Sequence, residues 1–361
     1  MKKIALALAS LALFATATAQ TSQRLTAGKA SEYGLVYSLP QTAVDIYLEA
    51  EITEQHPGEF YNYARRHLGI NDAITTSKRS AELKNVVIVP RGVVDPQQQW
   101  LAQFKAGTSA YITLTDNNIP VAINSEESIA VELPEIPVPR DAAPSPLETP
   151  EARQAVTQEI ARSASASKKA ELTAQRIFEL RETRSDILSG DADNYPSDGD
   201  AMRVVLNNLS AQEAALTAMF AGTTSSRTVV EKVSLVPDSA EVTGMVVARL
   251  SAVEGIVDAD NLAGAPITLD IKILEVGTLP LTEKGEQKTF PRGGVAYRIP
   301  GKALVSVNYG GREVASQEVS MAQLGVVFGL NPALFTDKKQ PYSLVFDPTT
   351  GAAVKLEPMG E

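Results

Sequence analysis

Two histidines come first as candidate chemistry, because imidazole is the usual metal ligand and proton shuttle near neutral pH. His56 precedes Pro57-Gly58, and His67 lies 11 residues further on. That separation matches no zinc signature, such as two ligands one helical turn apart. Both are therefore expected in structural or surface roles, with His67 favouring the dipole of a helix C-terminus. The densest set of oxygen ligands is Asp191-Ala-Asp193-Asn194-Tyr-Pro-Ser-Asp198-Gly199-Asp200. Calcium takes roughly six to eight oxygens, which makes Asp191, Asp193, Asp198 and Asp200 the metal candidates and calcium the one cofactor to weigh. The EF-hand loop needs glycine where Pro196 stands, and it needs a glutamate at its twelfth position. The expectation is an interhelical turn instead, with Asx turns at Asp193 or Asn194 and a helix cap at Ser197 or Asp198.

Other reactive patterns are thin. Ser165-Ala-Ser-Lys168 has the S-x-x-K form of some serine acyltransferases, but it sits in an Ala/Ser repeat without the partner S-D-N or K-T-G motifs. The sequence has no G-x-S-x-G, Walker loop, H-E-x-x-H or G-x-G-x-x-G. With no cysteine there is no disulfide, thiolate site or thiol nucleophile. The 43 acidic residues allow many carboxylate pairs of the glycosidase kind. Carbohydrate sites usually expose aromatic rings, however, and the single tryptophan, Trp100, is as readily an anchor under a loop. No catalytic residue is assigned.

The compartment is legible at the N-terminus. Lys2 and Lys3, the apolar run Ile4–Ala15 and the small residues Ala17 and Ala19 form an export signal, with cleavage expected between Ala19 and Gln20. The apolar run is too short to span a bilayer, and no later segment is long enough, so no transmembrane segment is expected. A lipoprotein anchor would need a cysteine after the signal, so none is expected. The net charge is −10, or −12 once Lys2 and Lys3 leave. Such an acidic surface repels phosphate backbones, so nucleic acid is not an expected partner.

The elements that would carry any site read as predominantly β. From Leu35 the apolar residues alternate to Pro40, and then Val44, Ile46, Leu48, Ala50 and Ile52 alternate against Asp45, Glu49 and Glu51. Pro40 cannot donate to a ladder, so it marks an edge, a kink or a move between sheets. Gly34–Val44 has an echo in Gly294-Val-Ala-Tyr-Arg-Ile-Pro300-Gly-Lys-Ala-Leu304. Each copy would deliver one strand, bend at its proline and start the next, and the two β regions would be duplicates or share one sheet system. A short helix over 59–68 capped by Gly69, a strand over 83–89 and a hairpin turning at Asp116-Asn117-Asn118 complete the N-terminal part. Six prolines between Leu133 and Pro150 make an extended strap. Helices follow from Glu151 to about Leu188, with an apolar stripe at Leu172, Ile177, Leu180, Ile187 and Leu188, and another from about Ser197. A capping box at Ser210-Ala-Gln-Glu213 predicts a further helix start. Nine short strands are expected from Val229 to Leu356. The fold class is α+β, two β-rich, sandwich or barrel-like regions with an inserted helical hairpin. The expected organisation is signal 1–19, N-terminal β domain 20–132, linker 133–150, helices 151–222 and C-terminal β domain 223–361.

Blocks along the chain are similar to the domain of unknown function 4831 family. They are Tyr33–Pro40, Pro57–Phe60 with Tyr63 and Leu68-Gly69, Arg181–Leu188, Gly190–Gly199, Gly294–Gly301 and Phe346-Asp-Pro-Thr-Thr-Gly-Ala352. The resemblance implies an exported protein of the Bacteroidota envelope, in the periplasm or at the cell surface, and implies no activity. The expected function is a non-enzymatic binding or assembly module whose partner is an envelope protein or a glycan. The alternative is a carbohydrate-binding or carbohydrate-active protein.

Overall fold

The computed structural model describes residues 21–24, 34–103, 109–191 and 199–359; the export signal lies outside them. The strands are β1 (Thr21–Arg24), β2 (Leu35–His56), β3 (Lys78–Gln103), β4 (Ile112–Leu114), β5 (Pro120–Ile123), β6 (Thr223–Leu235), β7 (Val242–Ser251), β8 (Gly255–Val257), β9 (Ala265–Glu275), β10 (Val295–Tyr309), β11 (Arg312–Leu330), β12 (Tyr342–Phe346) and β13 (Ala353–Pro358). They form three antiparallel sheets in the orders β1-β3-β2-β6, β11-β10-β9-β7-β8 and β13-β12-β5-β4. The predominantly β, α+β class read from the sequence is the class observed. β6, which follows the helices, pairs with β2 from Val44↔Leu235 to His56↔Thr223, so the N- and C-terminal β regions share a sheet.

The two long hairpins β2–β3 and β10–β11 organise the rest. Their inward residues follow the two-residue period of a strand: Val44, Ile46 and Leu48 from β2 face Ala303, Val305 and Val307 from β10 across one core. All six are fully buried, and each large aliphatic among them contributes about 1.5–3 kcal/mol of hydrophobic stabilisation. Neither hairpin stops at its proline. The expectation of separate strands on either side of Pro300 is corrected: β10 is continuous, and β11 runs unbroken through the two short strands expected at Glu313–Val319 and Val326–Leu330. A register shift lies at each proline, between Ser38 and Pro40 and between Ile299 and Gly301. A bulge accommodates a residue that lacks an N–H.

The prolines also mark where a neighbour leaves. β6 pairs with β2 only from Val44 onward, and β9 pairs with β10 only from Lys302 onward. Beyond those points the freed backbone finds new partners two residues before each proline. The Ser38 N–H donates to the Asn118 carbonyl (2.9 Å) and the Arg298 N–H to the Gly351 carbonyl (2.9 Å). Both acceptors lie in segments that border the small sheet. Of the three roles read for Pro40, an edge describes it best: β2 stays beside β3 in one sheet throughout, and Pro40 sits in a bulge where β6 has left the other side. The two arms before the prolines cover a second core, in which Tyr37, Leu39 and Ala296 pack on Ile123, Leu344 and Phe346.

The helices are α1 (Ala64–Leu68), α2 (Pro150–Ala155), α3 (Gln158–Arg162), α4 (Ala166–Ser189), α5 (Asp200–Ala221) and α6 (Ala333–Thr336). Gly69 and Gly190 close α1 and α4 in the left-handed conformation that glycine adopts without strain. Ile177, Leu180 and Ile187 of the predicted stripe are buried, whereas Leu188 is exposed. The predicted helix over 151–188 is three pieces, because Val156 and Ser163 are extended. The predicted helix start at Ser210 is also corrected. α5 runs through it unbroken, and Glu213 instead reaches Arg181 (2.7 Å) and Arg184 (2.7 Å) on α4. Those pairs join the helical hairpin, whose core includes Phe60, Ile177, Leu180, Leu216 and Phe220. The strap holds to β6 through paired backbone bonds between Arg140 and Thr228 (3.0 and 2.8 Å).

Candidate functional site

Three sequence blocks that lie far apart in the chain converge where the hairpins bend. Tyr37 is fully buried, and its hydroxyl accepts from the Ala296 N–H (2.8 Å) and donates to the Ala296 carbonyl (3.3 Å), tying one arm to the other. Thr42, two residues past Pro40, is also fully buried. Its Oγ1 accepts from the Ala322 N–H (3.0 Å) and donates to the Thr349 carbonyl (3.2 Å). Gln323 completes the crossing by accepting from the Thr42 N–H (2.9 Å) and donating to the Thr42 carbonyl (2.9 Å).

The turn after β12 is the third partner. Asp347 Oδ1 accepts from the Thr349 N–H (2.9 Å) and Oδ2 from the Thr350 hydroxyl (2.7 Å), and the Gly351 N–H donates to the Asp347 carbonyl (2.7 Å). Gly351 has φ +74°, and a Cβ there would lie 2.8 Å from Pro40 Cδ. A Cβ on Gly92 of β3 would strike the Pro348 carbonyl oxygen. This turn is therefore wedged between the hairpins where only glycine fits.

Arg298 provides the charge. It is 6% exposed, forms an ion pair with Asp95 of β3, and donates from Nη1 to the Ala322 carbonyl (3.3 Å). Burial lowers its pKa and Asp95 opposes that shift. Its Nε is buried without an acceptor among the described residues. A second ionic cluster sits on the opposite face of β2. Asp45, 2% exposed, accepts from Arg91 Nε (3.0 Å), Lys232 Nζ (2.7 Å) and Ser234 Oγ (2.7 Å). Burial raises its pKa, but the bonds from Arg91, Lys232 and Ser234 outweigh that and hold it at about 2. Chemically the crossing is a latch. Its hydroxyls, amide and guanidinium satisfy the backbone of two hairpins and one turn.

The residues singled out in the sequence do not gather. His56 is exposed and lies 3.8 Å from Glu54, while His67 sits in the last turn of α1 with its ring 6.2 Å from that of Tyr63. Ser165 is the N-cap position of α4 and Lys168 pairs with Glu171 (2.7 Å), which is an ordinary helix entry. Among the calcium candidates, Asp191 accepts from Ser189 Oγ (2.7 Å) and Asp200 pairs with Arg203 (3.0 Å). Asp193 and Asp198 lie outside the described residues. Trp100 is an anchor under a loop, stacked on Phe290 at 5.5 Å and 11°. Sequence reasoning missed Asp95, Arg298 and Thr42 as partners. The only available signal was the echo around Pro40 and Pro300.

Two cavities among the described residues lie away from the latch. A groove of about 290 Å³ between α2 and α5 is lined by Glu59, Ala152, Arg153, Leu216 and Met219. Another of about 350 Å³ along β6 and β7 carries Glu231, Lys232, Asp258 and Asn261. No described helix is long and apolar enough to cross a membrane.

Comparison with curated proteins and with solved structures gave no match. A family model described as a domain of unknown function, DUF4831, matches residues 33–354, a span that takes in every strand from β2 to β12 and the latch between the hairpins, and the chain belongs to that family.

Proposed function

We propose that this is an exported, non-enzymatic envelope protein that acts as a binding or assembly module, held in shape by the latch. The observation that carries the reading is where three of the family-like blocks go: Tyr37 ties one arm to the other, Arg298 reaches β11 with its side chain and Gly351 with its N–H, and the Asp347–Gly351 turn packs on Pro40. Residues used in this way make a rigid scaffold, and a scaffold in the envelope works through the surfaces it presents. Export accords with the N-terminal leader, with maturation at Gln20 in the periplasm or at the cell surface. Crosslinking in intact envelopes, followed by mass spectrometry of the co-purified material, tests this: a reproducible protein partner lost on unfolding supports it, and turnover of an envelope polymer by the pure protein refutes it.

For the second reading, a carbohydrate-directed activity, the groove that carries Glu231 and Asp258 offers two carboxylates. A glycan array with the mature chain separates the two readings. Binding abolished by Glu231→Gln with Asp258→Asn favours the second reading, and silence across polysaccharides favours the first.

A further inference from the structure

We propose that the segment from Gly277 to Gly293 is a lid that closes over an aromatic platform by inserting Phe290. The platform is made by Trp100 of β3 with Tyr297 of β10 and Phe328 of β11. Phe290 lies nearly parallel to Trp100 and edge-on to Phe328 (6.2 Å, 69°), which itself meets Tyr297 edge-on (6.3 Å, 75°). The slot is cut for a ring: Gly329 lies beneath it, and a Cβ there would sit 2.7 Å from Phe290 Cζ.

The lid is built to move as one piece. Between its ends it bonds to itself, from the Thr282 N–H to Glu286 (2.7 Å), the Gly285 N–H to Thr282 (2.9 Å) and the Lys288 N–H to Pro280 (2.8 Å), and at its far end the Gly294 N–H donates to the Pro291 carbonyl (2.9 Å). Residues 283–290 are all exposed, with Phe290 itself 38% exposed despite its stacking. Glycines stand at both ends, and Gly277 is tied down by its N–H on the Leu324 carbonyl (3.0 Å). The closed state also leaves a donor unmatched, since the Trp100 indole N–H is shielded from solvent without an acceptor among the described residues. Opening admits water to that donor, which narrows the gap between the closed and open states.

The experiment uses the mature full-length chain. Trp100 is its only tryptophan and reports the slot directly, while Lys284, Lys288 and Arg292 place trypsin sites within the lid. Phe290→Ala removes the plug and Gly329→Ala evicts it from below. Each is expected to raise the rate of cleavage within the lid up to about tenfold, the equivalent of losing one aromatic pair. Each should also red-shift Trp100 emission and increase its quenching by acrylamide. In the wild type, lid cleavage should proceed at a rate insensitive to low denaturant. The proposal is overturned if lid cleavage in the wild type tracks global unfolding, or if both variants keep wild-type emission and cleavage.

Discussion

The ionic cluster at Asp45 makes a prediction whose size follows from the structure. The carboxyl is 2% exposed and titrates at about 2 instead of 3.8. Its folded pKa is depressed, so the stabilisation is complete above 3.8 and is lost as pH falls through 2. Linkage gives about 2.4 kcal/mol at pH 7, about 1.3 at pH 3 and about 0.4 at pH 2. Asp45→Asn keeps the shape and removes the charge. Arg91 and Lys232 are each about half exposed and can rehydrate, so the loss should stay near the linkage value. Urea titration of both proteins should give a difference of about 2 kcal/mol at pH 7 that shrinks to less than about 1 kcal/mol at pH 2. Equal differences at the two pH values would show that the loss comes from packing and not from charge, and would refute the reasoning.

Three further outcomes are expected. Gly351→Ala should cost about 2–3 kcal/mol, because strain at positive φ adds to a clash with Pro40. Gly190→Ala, with the same backbone sign and no described atom within 4 Å of the new Cβ, should cost only about 1 kcal/mol, and equal losses by thermal unfolding would contradict the wedge. Glu213→Gln, which breaks the contacts to Arg181 and Arg184, should lower stability by about 1 kcal/mol with an effect reduced by salt; a salt-independent loss would count against an ionic role. Millimolar calcium should leave the thermal midpoint unchanged, and a rise abolished by Asp191→Asn would instead make that loop a cation site.

Local pattern made much of the fold legible. Alternation located β2, β6 and β9, glycine located the ends of α1 and α4, and Asn118 does take the left-handed angle, φ 59°, in the β4–β5 turn. The bend points were legible too, since a proline in an apolar alternation repeats with the same Tyr-x-x-Pro spacing at Tyr37 and Tyr297. Long-range pairing was not. Asp95 meets Arg298 across 203 residues, and nothing in either neighbourhood names the other. Strand length was underestimated because proline normally ends a ladder, whereas here each proline sits where one neighbour has already left. The Ser210 signal failed for a related reason: Glu213 finds two arginines on the facing helix and has no need to reach back to a serine.

The central claim is that the latch makes the two hairpins one cooperative unit. Hydrogen exchange with mass spectrometry tests it directly, comparing wild type with Arg298→Met, which removes the buried charge while keeping the bulk. The account predicts that peptides from β2–β3 and β10–β11 share one opening free energy and that the variant lowers both together, by about 2–3 kcal/mol. Full protection of β10–β11 alongside loss in β2–β3 alone, or the reverse, would contradict it.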